Sequence, residues 1–170
     1  MTDDTLPPGL RPETLAVRAA IERSQYGENS EALYLTTGFV QPDSETSAQR
    51  FASGEGYTYS RTSNPTVTSF ERRLAAMEGT EAAIATASGM AAILLMIMGL
   101  LKAGDHVVLS RSMFGSTLNL FAKEFGKFGV ETTFCSQTDV GEWRAAVKPN
   151  TRLLFAETPT NPLTEVCDIA

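Results

Sequence analysis

The run Ala87-Ser88-Gly89-Met90-Ala91 joins a small hydroxyl residue and a glycine to the start of a strongly apolar stretch. A helix beginning there leaves the amides of Gly89 and Met90 without intrahelical acceptors and turns the positive end of its dipole toward them. A phosphate dianion is the natural guest of such an end. The same Ser-Gly start is also an ordinary cap with nothing bound. Neither G-x-G-x-x-G nor a Gly-Lys-Ser/Thr triplet occurs, so this is no dinucleotide fingerprint and no Walker loop. A second polar cluster, Tyr57-Thr58-Tyr59-Ser60-Arg61-Thr62-Ser63-Asn64-Pro65-Thr66, holds a guanidinium fork for phosphate oxygens in Arg61. The Tyr59 hydroxyl, two residues away on an extended chain, points to the same side. Without a ligand, these are surface side chains before a helix. In Ser112-Met113-Phe114-Gly115-Ser116-Thr117, Phe114 offers a face for stacking on a planar group, or is a core ring. In Glu157-Thr158-Pro159-Thr160-Asn161-Pro162, prolines bracket Asn161, whose amide suits a ring oxygen or a carboxylate, or simply an Asn-Pro turn.

The elements that must position these residues follow from pattern and punctuation. Helical spacing predicts a helix over Glu13–Arg23, followed by a loop-rich segment with Gly27, Gly38, Pro42, Gly54 and Gly56. Asn64 as cap and Pro65 at the first turn open a second helix, with Val67, Phe70, Leu74 and Met77 on its core face and Gly79 as its stop. Beyond it, strands and helices alternate. Ala82–Thr86 reads as a short buried strand, Met90–Leu101 as a buried helix and Gly104-Asp105 as a turn into the strand His106–Ser110. Ser116–Phe128 is an amphipathic helix with Leu118, Phe121, Phe125 and Phe128 on one face, and Val130–Cys135 is a strand. Val140–Val147 is a helix, Arg152–Glu157 a strand, and Asp168-Ile169-Ala170 opens another helix. This alternation predicts an α/β fold with a mostly parallel sheet and flanking helices. Ligands bind such sheets at the carboxyl ends of the strands, where all but the Tyr59–Arg61 cluster are expected to fall.

Composition narrows the function classes. The chain has 170 residues, 42% of them hydrophobic and 20% charged, which suits a folded domain with its own core. The net charge of −6, with no basic block, argues against a nucleic-acid partner. The uncharged run Ala82–Leu101 is long enough to span a bilayer, but its first half is small and polar, so a buried helix is preferred and no membrane role is expected. The two cysteines, Cys135 and Cys167, fit no C-x-x-C spacing, and His106 is the one histidine. No metal site is expected, and these three residues read as structural in a reduced, cytoplasmic setting.

Taken in order, the motifs resemble the Cys/Met metabolism family of pyridoxal 5′-phosphate (PLP) enzymes, in the fold type I, aspartate aminotransferase-like class. The likeness runs from about Thr14 to the end of the chain. It is carried by Tyr59-Ser60-Arg61 with Asn64-Pro65-Thr66, Ser88-Gly89-Met90-Ala91-Ala92, Gly104-Asp105-His106-Val107 and Glu157-Thr158-Pro159-Thr160-Asn161-Pro162. The resemblance implies PLP as cofactor. Its phosphate would be held by Ser88, Gly89 and Met90 within the chain, and by Tyr59 and Arg61 donated to a neighbouring subunit. Phe114 would stack on the ring, Asn161 would lie beside the ring oxygen and the substrate carboxylate, and the assembly would be a homotetramer with shared sites.

Within the family, Ser30-Glu31-Ala32-Leu33-Tyr34-Leu35-Thr36 and Phe114-Gly115-Ser116-Thr117 are most like the O-succinylhomoserine sulfhydrylase branch. That branch exchanges succinate for sulfide on an O-acylhomoserine to make homocysteine in methionine biosynthesis. O-acetylhomoserine sulfhydrylase, cystathionine γ-synthase and methionine γ-lyase are the alternatives. Many relatives carry tyrosine where this chain has Phe114, which keeps the stacking face and loses a proton donor; that favours an acyl over a thiolate leaving group. Residues 1–60 are expected to form an N-terminal arm and interface segment, and residues 61–170 an incomplete PLP-binding α/β domain. The family's Schiff-base lysine, its pyridinium-pairing aspartate and its carboxylate-gripping arginine are expected beyond Ala170. Lys102, Lys123, Lys127 and Lys148 do not sit in the lysine motif. No catalytic residue is therefore expected in this chain, which by itself should be inactive. The alternative from another class is a truncated, non-catalytic chain that embraces an intact subunit through the segment before Pro65.

Overall fold

The structure, a computed structural model, describes residues 6–169. The chain divides into two compact units, residues 1–85 and residues 86–170.

The first unit contains α1 (Pro12–Arg18), α2 (Ser44–Ser53) and α3 (Pro65–Glu78). The third follows the sequence closely. Asn64 caps it through Thr66 N, Pro65 fills the first turn, and Gly79 closes it in the left-handed region at φ 64°. The expected helix Glu13–Arg23 is shorter, ending at Arg18. The carbonyls that would continue it are held by α3 instead: Arg73 Nε donates to Ala19 O at 2.9 Å and Ser69 Oγ to Ala20 O at 2.8 Å. The sequence reading missed α2, although its signals are local. Asp43 accepts from Thr46 N as the cap, and Gly54 ends the helix at φ 74°.

The apolar stripe of α3 is a correction. Val67, Phe70, Leu74 and Met77 are exposed, and Ser69 and Ala75 are the buried positions. Ser69 and Arg73 face α1 because they satisfy the backbone where α1 stops, so hydrogen bonding and not apolar area sets the helix's rotation.

The second unit runs α4 (Gly89–Leu100), β1 (His106–Ser110), α5 (Gly115–Asn119), β2 (Glu131–Cys135), α6 (Val140–Ala146) and β3 (Thr151–Phe155). The strands form a parallel sheet in the order β2-β1-β3, with His106 to Ser110 of β1 in register with Glu131 to Cys135. As the central strand, β1 is buried at every residue, which explains its unbroken Val107-Val108-Leu109 run. Ile97, Val107, Leu109, Met113, Phe121, Phe125 and Val130 make the core.

The predicted strand Ala82–Thr86 does not form among the described residues. That segment has no strand partner, and the Ala85 amide donates to Glu71 Oε1 at 2.7 Å instead of entering a ladder. The helix read over Met90–Leu101 is present but not buried: Ile97 is enclosed while Leu94, Leu95 and Met98 are exposed. At 12 residues it is about 18 Å long, and no helix of the described residues is long and apolar enough to cross a membrane.

The helix read over Ser116–Phe128 is one helical run whose winding widens to a π-turn at Leu120–Glu124 and tightens to 3₁₀ at Phe125–Phe128. The changed winding shifts the later side chains around the axis. Phe121 and Phe125 therefore stay buried while Phe128 is exposed. No helix opens at Asp168 and Ile169, and Ala170 lies outside the described residues.

Candidate functional site

In the first unit, Tyr59 and Arg61 sit on a turn braced by an earlier segment. Gly38 and Tyr59 form an antiparallel bridge, Phe39 N donates to Thr58 O at 3.1 Å and Ser60 N to Thr37 O at 2.9 Å. Thr62 and Ser63 amides fold back on Tyr59 O, and Asn64 Nδ2 reaches Ser60 Oγ at 3.0 Å. On this frame Arg61 lies over the Tyr59 ring, 5.1 Å from its centroid, and is exposed. No carboxylate among the described residues pairs with its guanidinium. The pair is thus a preformed, uncompensated cation beside a phenol.

In the second unit, Ser88 caps α4, its Oγ accepting from Ala91 N at 3.2 Å and its carbonyl from Ala92 N at 3.0 Å. The amides of Gly89 and Met90 have no acceptor in the described chain, as the first turn of a helix dictates. A Cβ on Gly89 would meet no atom within 4 Å, and its φ is not in the left-handed region. Neither backbone conformation nor packing within the chain therefore demands glycine at 89. What its missing side chain leaves open is the approach to two free N–H donors.

Phe114 leads into α5 just beyond β1 and is 45% exposed, so it is not the core ring of the alternative reading. Its amide donates to Glu157 Oε2 at 3.1 Å. Thr117 Oγ1 lies 3.7 Å from Met90 Sδ, which brings the start of α5 to the start of α4. Asn161 is exposed, with no hydrogen-bond partner for its side chain, in a loop held by buried Thr160, whose hydroxyl accepts from Glu165 N at 2.9 Å. The fold thus brings Met90, Phe114 and the Glu157–Asn161 loop into one network within the second unit, while Tyr59 and Arg61 belong to the first.

Sequence reasoning passed over Gln137. It is 3% exposed, its Oε1 accepts from Ser110 Oγ at 2.6 Å, and its Nε2 donates to Glu157 O at 2.7 Å, so one amide ties together the ends of all three strands. No local signal marks it, because its partners lie 27 and 20 residues away.

His106 is fully buried between Thr151 Oγ1, at 2.7 Å, and Thr133 Oγ1, at 2.8 Å. Burial, and after it the Lys148 charge, hold its pKa below the ordinary value. Burial likewise raises the Cys135 thiol, whose Sγ lies 3.5 Å from Glu142 O. Both are structural groups, and no cluster of His, Cys, Asp or Glu among the described residues could hold a metal ion.

The profile of the Cys/Met metabolism PLP-dependent enzymes matches residues 13–170. The chain belongs to this family. An O-succinylhomoserine sulfhydrylase of Pseudomonas aeruginosa is 52% identical over 160 residues, covering 93% of this chain and 40% of that protein. An L-methionine gamma-lyase of Fusobacterium nucleatum is 40% identical over 157 residues, covering 92% of this chain and 40% of that protein. A solved O-acetylhomoserine (thiol)-lyase structure from Campylobacter jejuni, which contains N'-pyridoxyl-lysine-5'-monophosphate, superposes with a TM-score of 0.82 at 32% identity, covering 95% of this chain and 40% of that one.

The chain therefore has the fold of the N-terminal part of these Cys/Met metabolism enzymes and spans about 40% of the length of the relatives it matches. The cofactor is PLP, the dependence that defines the family. The free amides at the start of α4, the open approach over Gly89 and the exposed Phe114 face suit a phosphorylated planar ring.

Proposed function

We propose that this chain is the cofactor-binding N-terminal part of an O-succinylhomoserine sulfhydrylase, which replaces succinate with sulfide on the γ-carbon of O-succinylhomoserine to give homocysteine. The observation that carries this reading is the identity of 52% to the Pseudomonas aeruginosa sulfhydrylase, against 40% to the Fusobacterium nucleatum lyase. Residues 1–60 serve as the arm and interface segment, and residues 61–170 as part of the PLP-binding domain of a cytoplasmic homotetramer.

Bound PLP supplies the electron sink for bond breaking at the substrate. The residues of this chain bind and orient. Gly89 and Met90 amides, with Ser88 beside them, hold the phosphate at the positive end of α4, where helix dipole and free donors add. Tyr59 and Arg61 close on the phosphate of a neighbouring subunit's cofactor, the uncompensated guanidinium adding bidentate, charge-assisted bonds. Phe114 stacks on the ring and donates no proton. Succinate departs as a stable carboxylate and needs none, whereas a thiolate does. Asn161, with its amide free, orients the ring oxygen and the substrate carboxylate. None of Lys102, Lys123, Lys127 and Lys148 is assigned the covalent role in this reading.

The test uses the full-length protein. Its visible absorption with PLP, and fixation of that absorbance by borohydride, checks the cofactor site. Turnover is then compared for O-succinylhomoserine and O-acetylhomoserine, each with sulfide or cysteine, and for methionine alone. Preference for O-succinylhomoserine with sulfide is expected. Preference for another pair, or for methionine elimination, overturns the substrate assignment, and failure to take up PLP overturns the enzyme reading in favour of a non-catalytic partner.

A further inference from the structure

Phe114 is held in place by its backbone more than by its ring. The ring is 45% exposed, whereas the amide is fixed by Glu157 Oε2 at 3.1 Å. The loop leading to it is fixed as well, since Ser112 N donates to Ser110 Oγ at 3.1 Å. Ser110 in turn donates to Gln137 Oε1, and Gln137 Nε2 donates to the carbonyl of Glu157, the residue whose carboxylate holds Phe114. The circuit closes on itself: Ser110, Gln137, Glu157, Phe114 and back along the loop to Ser110. Only an uncharged amide fills position 137. Leucine would leave the O–H of buried Ser110 without an acceptor and the Glu157 carbonyl without its Gln137 donor, and an ionised glutamate could not donate. The same strand end continues through Thr158-Pro159-Thr160 to Asn161.

We infer that Gln137 and Glu157 are positioning residues, a clamp that fixes the loop bearing Phe114 against the loop bearing Asn161 so that both meet the cofactor ring in one geometry. The inference rests on the reading of Phe114 as the stacking residue. It goes beyond that reading by assigning the stacking geometry to two residues that touch neither ring nor substrate. Ring tilt and cofactor affinity then depend on a carboxylate oxygen accepting one backbone amide.

The test uses the full-length enzyme with Glu157→Leu, Glu157→Gln and Gln137→Leu. Apoenzyme is titrated with PLP, the visible circular dichroism of the bound cofactor is recorded, and thermal unfolding of each apoenzyme is measured. Glu157→Leu should weaken PLP binding by about tenfold, the equivalent of losing one charge-assisted hydrogen bond, and lower the dichroic band. Glu157→Gln, whose amide oxygen still accepts the Phe114 N–H, should restore both. Gln137→Leu should reproduce the loss. Where leucine at 157 prevents folding, Glu157→Asp, one methylene too short to reach, makes the same comparison with Glu157→Gln. Wild-type affinity and dichroism in Glu157→Leu, or a Glu157→Gln variant as impaired as Glu157→Leu, overturns the clamp. A wild-type enzyme that takes up no PLP overturns instead the cofactor reading on which it stands.

Discussion

Asn64 reaches 30 residues back along the chain to Tyr34, its Nδ2 donating to Tyr34 O at 3.0 Å while its Oδ1 caps α3 through Thr66 N at 2.9 Å. One side chain thus starts a helix and pins the segment that braces the Tyr59–Arg61 turn. Asn64→Ala should destabilise the full-length protein by about 2 kcal/mol, the sum of a lost cap and lost donor bonds, and Asn64→Asp by about 1 kcal/mol, because aspartate still caps but cannot donate. Denaturant unfolding measures both. An Asn64→Asp variant as stable as wild type would show that the Tyr34 and Ser60 bonds contribute nothing.

His106 makes stability depend on pH in a defined direction. Burial first, and the Lys148 charge second, lower its folded-state pKa below the ordinary 6.5, with Glu131 opposing. As pH falls, the unfolded chain takes up the proton before the folded one does. The stabilisation by neutral His106 is therefore complete above pH 6.5 and is lost as pH falls through the folded-state pKa. Glu31 and Glu131, held below their ordinary 4.5 chiefly by hydrogen bonds from Arg73 and Lys148, stay ionised down to about pH 5.5. Urea unfolding between about pH 7.5 and about pH 5.5 should show a decline that is reduced in His106→Gln. An equal decline in both proteins would assign it to other groups.

Gly89→Ala separates the needs of the chain from those of the cofactor. The added Cβ meets no chain atom within 4 Å, so apoenzyme stability should equal or exceed that of wild type, as helix propensity favours alanine. PLP affinity should fall, by about tenfold or more, because the methyl crowds the approach to the free amides. Unchanged affinity would mean that the phosphate does not sit over residue 89.

Phe114→Tyr restores a hydroxyl at the stacking position. Turnover of thioether substrates, whose thiolate leaving group needs a proton, should rise relative to O-succinylhomoserine, by about a hundredfold, the low end for a positioned general acid. The ratio of kcat/KM values for the two substrates is the measurement, and an unchanged ratio would remove position 114 from the account of specificity.

What was legible in the sequence is what neighbours in the chain decide among themselves. Asn64 with Pro65 and Gly79 bounds α3, Ser88 caps α4, and Val107-Val108-Leu109 marks a strand buried on both faces, because caps, left-handed stops and apolar runs act over a few residues. The motif order from Tyr59 to Pro162 identified the family for the same reason, each motif being a short stretch of backbone and side chain with a local shape.

Tertiary structure decided what depends on distant partners. Arg73 and Ser69 ended α1 early by capturing the carbonyls of Ala19 and Ala20, and in doing so turned the apolar stripe of α3 outward. Ala82–Thr86 carries the composition of a strand, yet forms none because no neighbouring strand in the described residues offers it a ladder. Gln137 became the knot at the strand ends only when parallel pairing set Ser110 beside Cys135 and so brought Gln137 to Ser110 and Glu157. Hydrogen bonds between residues dozens of positions apart leave no periodicity or spacing in the sequence, since their geometry exists only once the sheet has brought the partners together.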